Sequence, residues 1–354
     1  MIPSADGSRP IPPAAKPIRE LADVDPAGLP ALLGGLDAPV VLRGIAAHWP
    51  LVHAARDSAA AAVACLKRFD PRAMPVTATV APPSARGRVF YDETLQGFNF
   101  RREQVPLGVV LDTLLKYARD PAPPSIYVAS TTVETFLPGF SAEHRLETGA
   151  RDPLASIWIG NRSRIAAHQD LPDNLACVAA GRRRVTLFPP DQLPNLYIGP
   201  LDHTPAGQAV SLVDFQAPDL QRFPRFAVAM RHSSAAELAP GDAVFIPSMW
   251  WHHMEGLDTF NVLVNYWWRR TPAWMETPMD ALMHALLSIR DLPPHERQVW
   301  KDVFNHYVFD YDEAGMAGHV PEAARRLLAS PMGEERTRHL RTLLLQRLNR
   351  RESR

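Results

Sequence analysis

Two cysteines in 354 residues, Cys65 and Cys177, are too few for a disulfide framework. Lysine is almost as scarce: only Lys16, Lys67, Lys116 and Lys301 stand among 38 basic side chains. That arginine skew points to a GC-rich bacterial genome rather than to selection for phosphate binding. An excess charge of either sign is also missing, because 38 acidic residues balance the basic ones. No global field therefore steers the chain toward nucleic acid or an anionic membrane. No apolar run approaches the roughly 20 residues that cross a bilayer. The opening MIPSADGSRPIPPAAKP lacks the charged-then-apolar pattern of a signal peptide. A globular protein of the reducing cytoplasm is expected.

What is present divides the chain into three parts. Residues 1–18 carry several prolines and little periodicity, and read as a loose lead-in. From 19 to about 125, PVVLRG (39–44) and PVTATV (75–80) read as strands, and 59–69 and 105–120 as helices. From 125 to 270 short strand-like runs dominate, namely SIYVAS, ASIWIG, NLACVAA, RRVTLFPP, DAVFIP and FNVLVNYWW. Gly, Pro, Asn and Asp separate them, as in a sandwich or small barrel. After Thr271 helical signals return: Thr277 suits a cap, Pro278 the first helical position, and Met279, Leu282, Leu286 and Ile289 share a face. Near the C-terminus Leu340, Leu343, Leu344 and Leu348 form another stripe.

The chemistry concentrates in two segments. In IAAHQDLPDN (165–174), an extended backbone would point His168 and Asp170, two residues apart, the same way. An imidazole and a carboxylate are two members of the facial triad that holds ferrous iron and leaves three positions open. APGDAVFIPSMWWHHMEG (239–256) offers the third ligand, His252, after a turn, a buried strand and a second turn. Strand alternation would turn His253 away, leaving it a structural role. An H-x-D pair alone is common and is usually a surface or capping pair. Two such segments joined by strands of a jelly roll carry far more weight.

These pieces, with GRRRVTLFPPDQLPNLY, VDFQAPDLQRFP and NVLVNYWW in the same order and with similar gaps, resemble the cupin-like Jumonji-C oxygenases. The likeness is to the branch containing the asparaginyl hydroxylase of hypoxia-inducible factor and its bacterial relatives. It is strong over 120–270 and fainter over 19–120. It implies a mainly β fold with flanking helices, a double-stranded β-helix (jelly roll) over 19–270, and a C-terminal helical extension, 271–354, that forms a homodimer. It implies iron(II) on His168, Asp170 and His252, with 2-oxoglutarate as co-substrate and dioxygen as oxidant. Asn174, Asn265 and Trp267 would lie beside the co-substrate. Arg183 stands where the family has a lysine for the distal carboxylate, and Tyr127 is the candidate to share that carboxylate. Arg183 would be the one inward member of Arg182–Arg184, its neighbours facing solvent. Ile165 departs from a family threonine and cannot donate a hydrogen bond.

The activity so implied is hydroxylation of a protein, peptide or amino-acid side chain with release of succinate and CO2. No nucleic acid or membrane partner is implied. Two other readings remain open on the residues: a non-catalytic, metal-bearing cupin that senses or binds peptides, and a cupin using nickel, manganese or zinc for lyase or isomerase chemistry.

Overall fold

The computed structural model describes residues 16–349. The expected lead-in therefore lies outside the described residues up to position 15. Lys16 and Pro17 already form a strand, inside the stretch expected to be loose.

Among the described residues fourteen strands follow one another: β1 (Lys16–Pro17), β2 (Arg19–Leu21), β3 (Val40–Leu42), β4 (Pro75–Ala81), β5 (Arg101–Pro106), β6 (Ser125–Thr132), β7 (Leu154–Gly160), β8 (Ser163–His168), β9 (Asp173–Ala180), β10 (Arg183–Phe188), β11 (Ser234–Leu238), β12 (Ala243–Ile246), β13 (Trp251–Gly256) and β14 (Asn261–Trp268). They build a five-stranded sheet, β1-β11-β10-β13-β8, and a nine-stranded sheet, β2-β3-β12-β9-β14-β7-β6-β4-β5. Apart from the parallel pairs β1–β11 and β2–β3, the ladders are antiparallel. This is the jelly roll the sequence predicts.

β9 shows why the sequence selects this architecture. Every one of its residues is buried, which requires cover on both faces. Ala176 and Val178 join Val185 and Leu187 of β10 in the layer between the sheets. Leu175, Cys177 and Ala179 face the other way, into a core shared with Trp49, Leu51 and Leu66 of the N-terminal helices. Those helices, Pro50–Asp57 and Ala59–Lys67, start on Pro50 at a first-turn position and on a Ser58 hydroxyl that accepts from Ala61 N at 3.0 Å. The helix expected over 105–120 is shorter, Leu107–Tyr117, because 105–106 belong to β5.

The outer face of the five-stranded sheet is covered too. Phe188, Phe215, Phe226 and Trp251 form a cluster there. Burial on this side corrects one expectation: Arg184 does point away from Arg183, but not into solvent. It is buried and pairs with Glu237, while Arg182 pairs with Asp258 at 3.0 Å.

Residues from Thr271 onward form a second compact unit, made mainly of helices Pro278–Ser288, Pro294–Phe304 and Gly333–Leu348. Thr277 accepts from Met279 N at 3.4 Å and Pro278 occupies the first turn, as the sequence indicates. Leu287 and Phe309 are 77% and 73% exposed, more apolar surface than an isolated helical unit leaves to water without reason.

Candidate metal centre and adjoining cavity

His168 ends β8, and His252 lies directly opposite it on β13. The ladder between them is irregular. His252 pairs with His168, but Met254 pairs with Ile165, so one extra residue of β8 is accommodated in a bulge. A bulge resets the alternation of side chains. It lets Ile165 and His168, three apart, both border the same cavity. Asp170 lies two residues beyond the strand, where its backbone carbonyl accepts from Met249 N at 2.9 Å.

The three side chains converge. Their donor atoms all lie within 4.8 Å of one another, and His252 Nε2 is 3.4 Å from Asp170 Oδ2. His168 Nδ1 lies 2.9 Å from Ala166 O and His252 Nδ1 3.1 Å from Trp250 O. A proton on each Nδ1 leaves each Nε2 lone pair facing inward, the tautomer a metal ligand needs. Gln208 Nε2 donates to Asp170 Oδ1 at 3.1 Å, whereas Oδ2 is buried with no hydrogen-bond partner. An orphaned carboxylate oxygen beside two inward imidazole nitrogens fits a divalent cation.

The electrostatics of His168 agree with that fit. Burial, and then the neighbouring His252, push His168 down to about 4, so its ring is neutral at neutral pH. Burial opposes charge on Asp170 and His252, but each stabilises the other's charged form. The carboxyl consequently sits below its ordinary range and the imidazole above it. His253 does turn away, stacking on Phe215 at 4.4 Å, with neither ring nitrogen hydrogen-bonded; burial pushes it down to about 3.

A cavity of about 390 Å³ opens from this centre between the sheets. Tyr127, Asn174, Arg183, Asn265 and Trp267, all expected from the sequence, line it. Arg183 is fully buried, and its Nε and Nη2 have no hydrogen-bond acceptor. Burial lowers its pKa, and the Tyr127 hydroxyl hydrogen-bonded to it pulls the other way. Trp158 Nε1 donates to Asn265 Oδ1 at 2.7 Å, and Asn265 Nδ2 donates to Asn174 Oδ1 at 3.2 Å. That chain fixes both amide orientations. Gly160, opposite Tyr127, admits the ring: a Cβ there would sit 3.1 Å from Tyr127 Cδ2 and 2.5 Å from Ile126 O.

Trp158, Gln208 and Arg102 also line the cavity, and the sequence reading missed all three. Alternation within ASIWIG could have found Trp158, since Ile157 and Ile159 take the other face. Nothing local marks Gln208 or Arg102.

A jelly roll with two histidines and a carboxylate at one mouth defines the cupin class. Residues 35–273 match the family model described as a cupin-like domain, and the chain belongs to that family. The Jumonji-C likeness stands with it. The chain is 37% identical over 119 residues to lysine-specific demethylase JMJ31 of Arabidopsis thaliana, covering 33% of this chain and 21% of that protein. It is 36% identical over 121 residues to human HSPB1-associated protein 1, covering 34% and 24%. It is 37% identical over 106 residues to tRNA wybutosine-synthesizing protein 5 of Danio rerio, covering 30% and 29%. The matched segment thus spans between a fifth and a third of these relatives. Among the described residues no helix is long and apolar enough to cross a membrane.

Proposed function

We propose that the chain is an iron(II)- and 2-oxoglutarate-dependent oxygenase that hydroxylates a protein, peptide or amino-acid side chain. The observation that carries this reading is the pairing of two unsatisfied sites across one cavity. At one end Asp170 Oδ2 and two inward imidazole nitrogens await a cation. At the other, a fully buried guanidinium has two nitrogens, Nε and Nη2, without acceptors. A buried cation without a counter-ion is costly, and a dicarboxylate chelating a metal at the near end would supply one.

In this reading His168, Asp170 and His252 would hold ferrous iron, which would supply the activation of dioxygen. Arg183 and Tyr127 grip the distal carboxylate of 2-oxoglutarate, the guanidinium by two parallel N–H bonds. Asn174, held by Asn265, and the Trp267 wall confine the rest of the co-substrate. Gln208 holds Asp170 Oδ1, which leaves Oδ2 as the oxygen that would take the cation. The apolar layer between the sheets keeps water from the reacting carbon.

The test is release of succinate from 2-oxoglutarate by the ferrous-loaded protein, compared with Asp170→Ala. Succinate from the wild type alone supports the oxygenase. Iron affinity untouched by Asp170→Ala sinks it. Ile165, which lines the cavity and offers no hydrogen bond, favours the alternative of a non-catalytic metal-bearing module. Bound iron without succinate in any condition selects that alternative. The exposed apolar faces of the C-terminal unit support assembly as a homodimer.

A further inference from the structure

The outer part of the cavity carries a second, unused charge. Register places Arg102 of β5 directly across from Thr79 of β4, and Thr79 directly across from Tyr127 of β6. Residues paired this way on neighbouring strands project to one face, spaced about 4.8 Å per strand. The row therefore runs outward from the Arg183–Tyr127 clamp to Arg102, about 10 Å from the Tyr127 position along the sheet. All of these side chains line the same cavity.

Arg102 is held but not neutralised. Its Nη2 donates to Pro205 O at 2.5 Å, and its guanidinium carbon lies 5.4 Å from the centre of the Phe100 ring. Among the described residues no carboxylate lies within ion-pair distance of it. Asp170 is the one acid among the residues lining the cavity, and the metal reading already uses it. Thr77 and Thr79 add hydroxyls beside Arg102. An incoming cation would meet no counter-charge here, and an incoming anion would meet a guanidinium already oriented by a backbone carbonyl.

We propose that Arg102 is a specificity-determining residue that receives a carboxylate on the substrate, with the Thr77 and Thr79 hydroxyls as further donors. The assignment deepens the oxygenase reading and rests on it for the inner clamp being filled by 2-oxoglutarate. The substrate class is then an acidic side chain or a small carboxylic acid. A lysine side chain, the kind named for the Arabidopsis relative, is disfavoured.

The test uses the full chain loaded without oxygen with ferrous iron and 2-oxoglutarate, so that Arg183 is occupied. Binding is followed by NMR titration with blocked pentapeptides bearing a central aspartate, asparagine or lysine, and with acetyl-aspartate amide. The aspartate peptide should bind about tenfold tighter than the other two, the scale of one charge-assisted contact. Arg102→Gln should erase that preference, and Arg102→Glu should transfer it to the lysine peptide, a gain that misfolding cannot produce. Equal binding by acetyl-aspartate amide assigns a small acid, and binding by the peptide alone assigns a protein side chain. Wild-type preference for asparagine or lysine, no detectable binding of either aspartate probe, or an aspartate preference that survives Arg102→Glu overturns the proposal. Succinate release from the same samples after oxygen is admitted separates the two ideas. An aspartate preference that reverses in Arg102→Glu without any succinate leaves the carboxylate site standing and removes the oxygenase.

Discussion

Replacing Arg183 by methionine should move stability and co-substrate binding in opposite directions. The guanidinium is buried beyond reach of water with two nitrogens lacking acceptors. Each such group left unsatisfied costs about 1–3 kcal/mol, and taking the charge itself out of water costs several kcal/mol that an apolar group of similar volume avoids. Without 2-oxoglutarate, Arg183→Met should therefore be the more stable protein. At about 2–4 °C per kcal/mol for a unit of this size, its melting temperature should rise by several degrees. With 2-oxoglutarate the order should invert. Two charge-assisted hydrogen bonds at about 1.5–3 kcal/mol each are lost, and at 1.4 kcal/mol per decade affinity falls roughly a hundred- to ten-thousand-fold. Thermal melts of both proteins over a 2-oxoglutarate titration, with iron present and oxygen excluded, read both effects at once. A variant less stable than wild type without ligand, yet still stabilised by 2-oxoglutarate, would refute the reasoning.

Further outcomes follow from other contacts. Gln208→Ala frees Asp170 Oδ1 and should weaken iron binding about 10- to 100-fold, as losses of groups that orient ligands do; unchanged affinity in a competition titration removes Gln208 from that role. His253 is neutral in the fold, its pKa pushed down to about 3, while an unfolded histidine takes up a proton below about 6.5. Its contribution is thus fully present above pH 6.5 and is lost as pH falls toward 3. His253→Phe, which preserves the stack on Phe215, should flatten the acid side of the stability curve by up to about 1.4 kcal/mol per pH unit; superimposable urea midpoints from pH 7 to 4 would contradict this. Light scattering should give a dimer mass at micromolar concentration, and Leu287→Glu with Leu345→Glu should halve it. A monodisperse wild-type monomer ends the dimer proposal.

Much of this could be read in the sequence because burial and alternation act locally. LACVAA is apolar throughout because β9 is covered on both faces, and NVLVNYWW splits cleanly into Val262, Val264 and Tyr266 on the helix side and Leu263 between the sheets. The inward turn of Arg183 followed from the same period. What escaped was set by distant segments. Arg184 is buried because the 196–230 region folds over its side of the sheet, which no pattern around Arg184 reports. Arg102 sits on a short edge strand, exposed along most of its length, whose register alone brings it to the cavity. Gln208 reaches Asp170 from an irregular loop, where no periodicity exists to be read.

The extra residue in β8 has a consequence for how this chain tolerates change in length. Side chains around the metal centre can be exchanged one at a time, but the spacing between Ile165 and His168 is counted against the fixed step from Met254 to His252. Deleting Ala166 or Ala167 would leave a regular ladder, chemically unremarkable and well paired, in which the turn of the backbone that now aims His168 at Asp170 no longer exists. The composition would scarcely alter, and the candidate site would lose one of its three converging side chains.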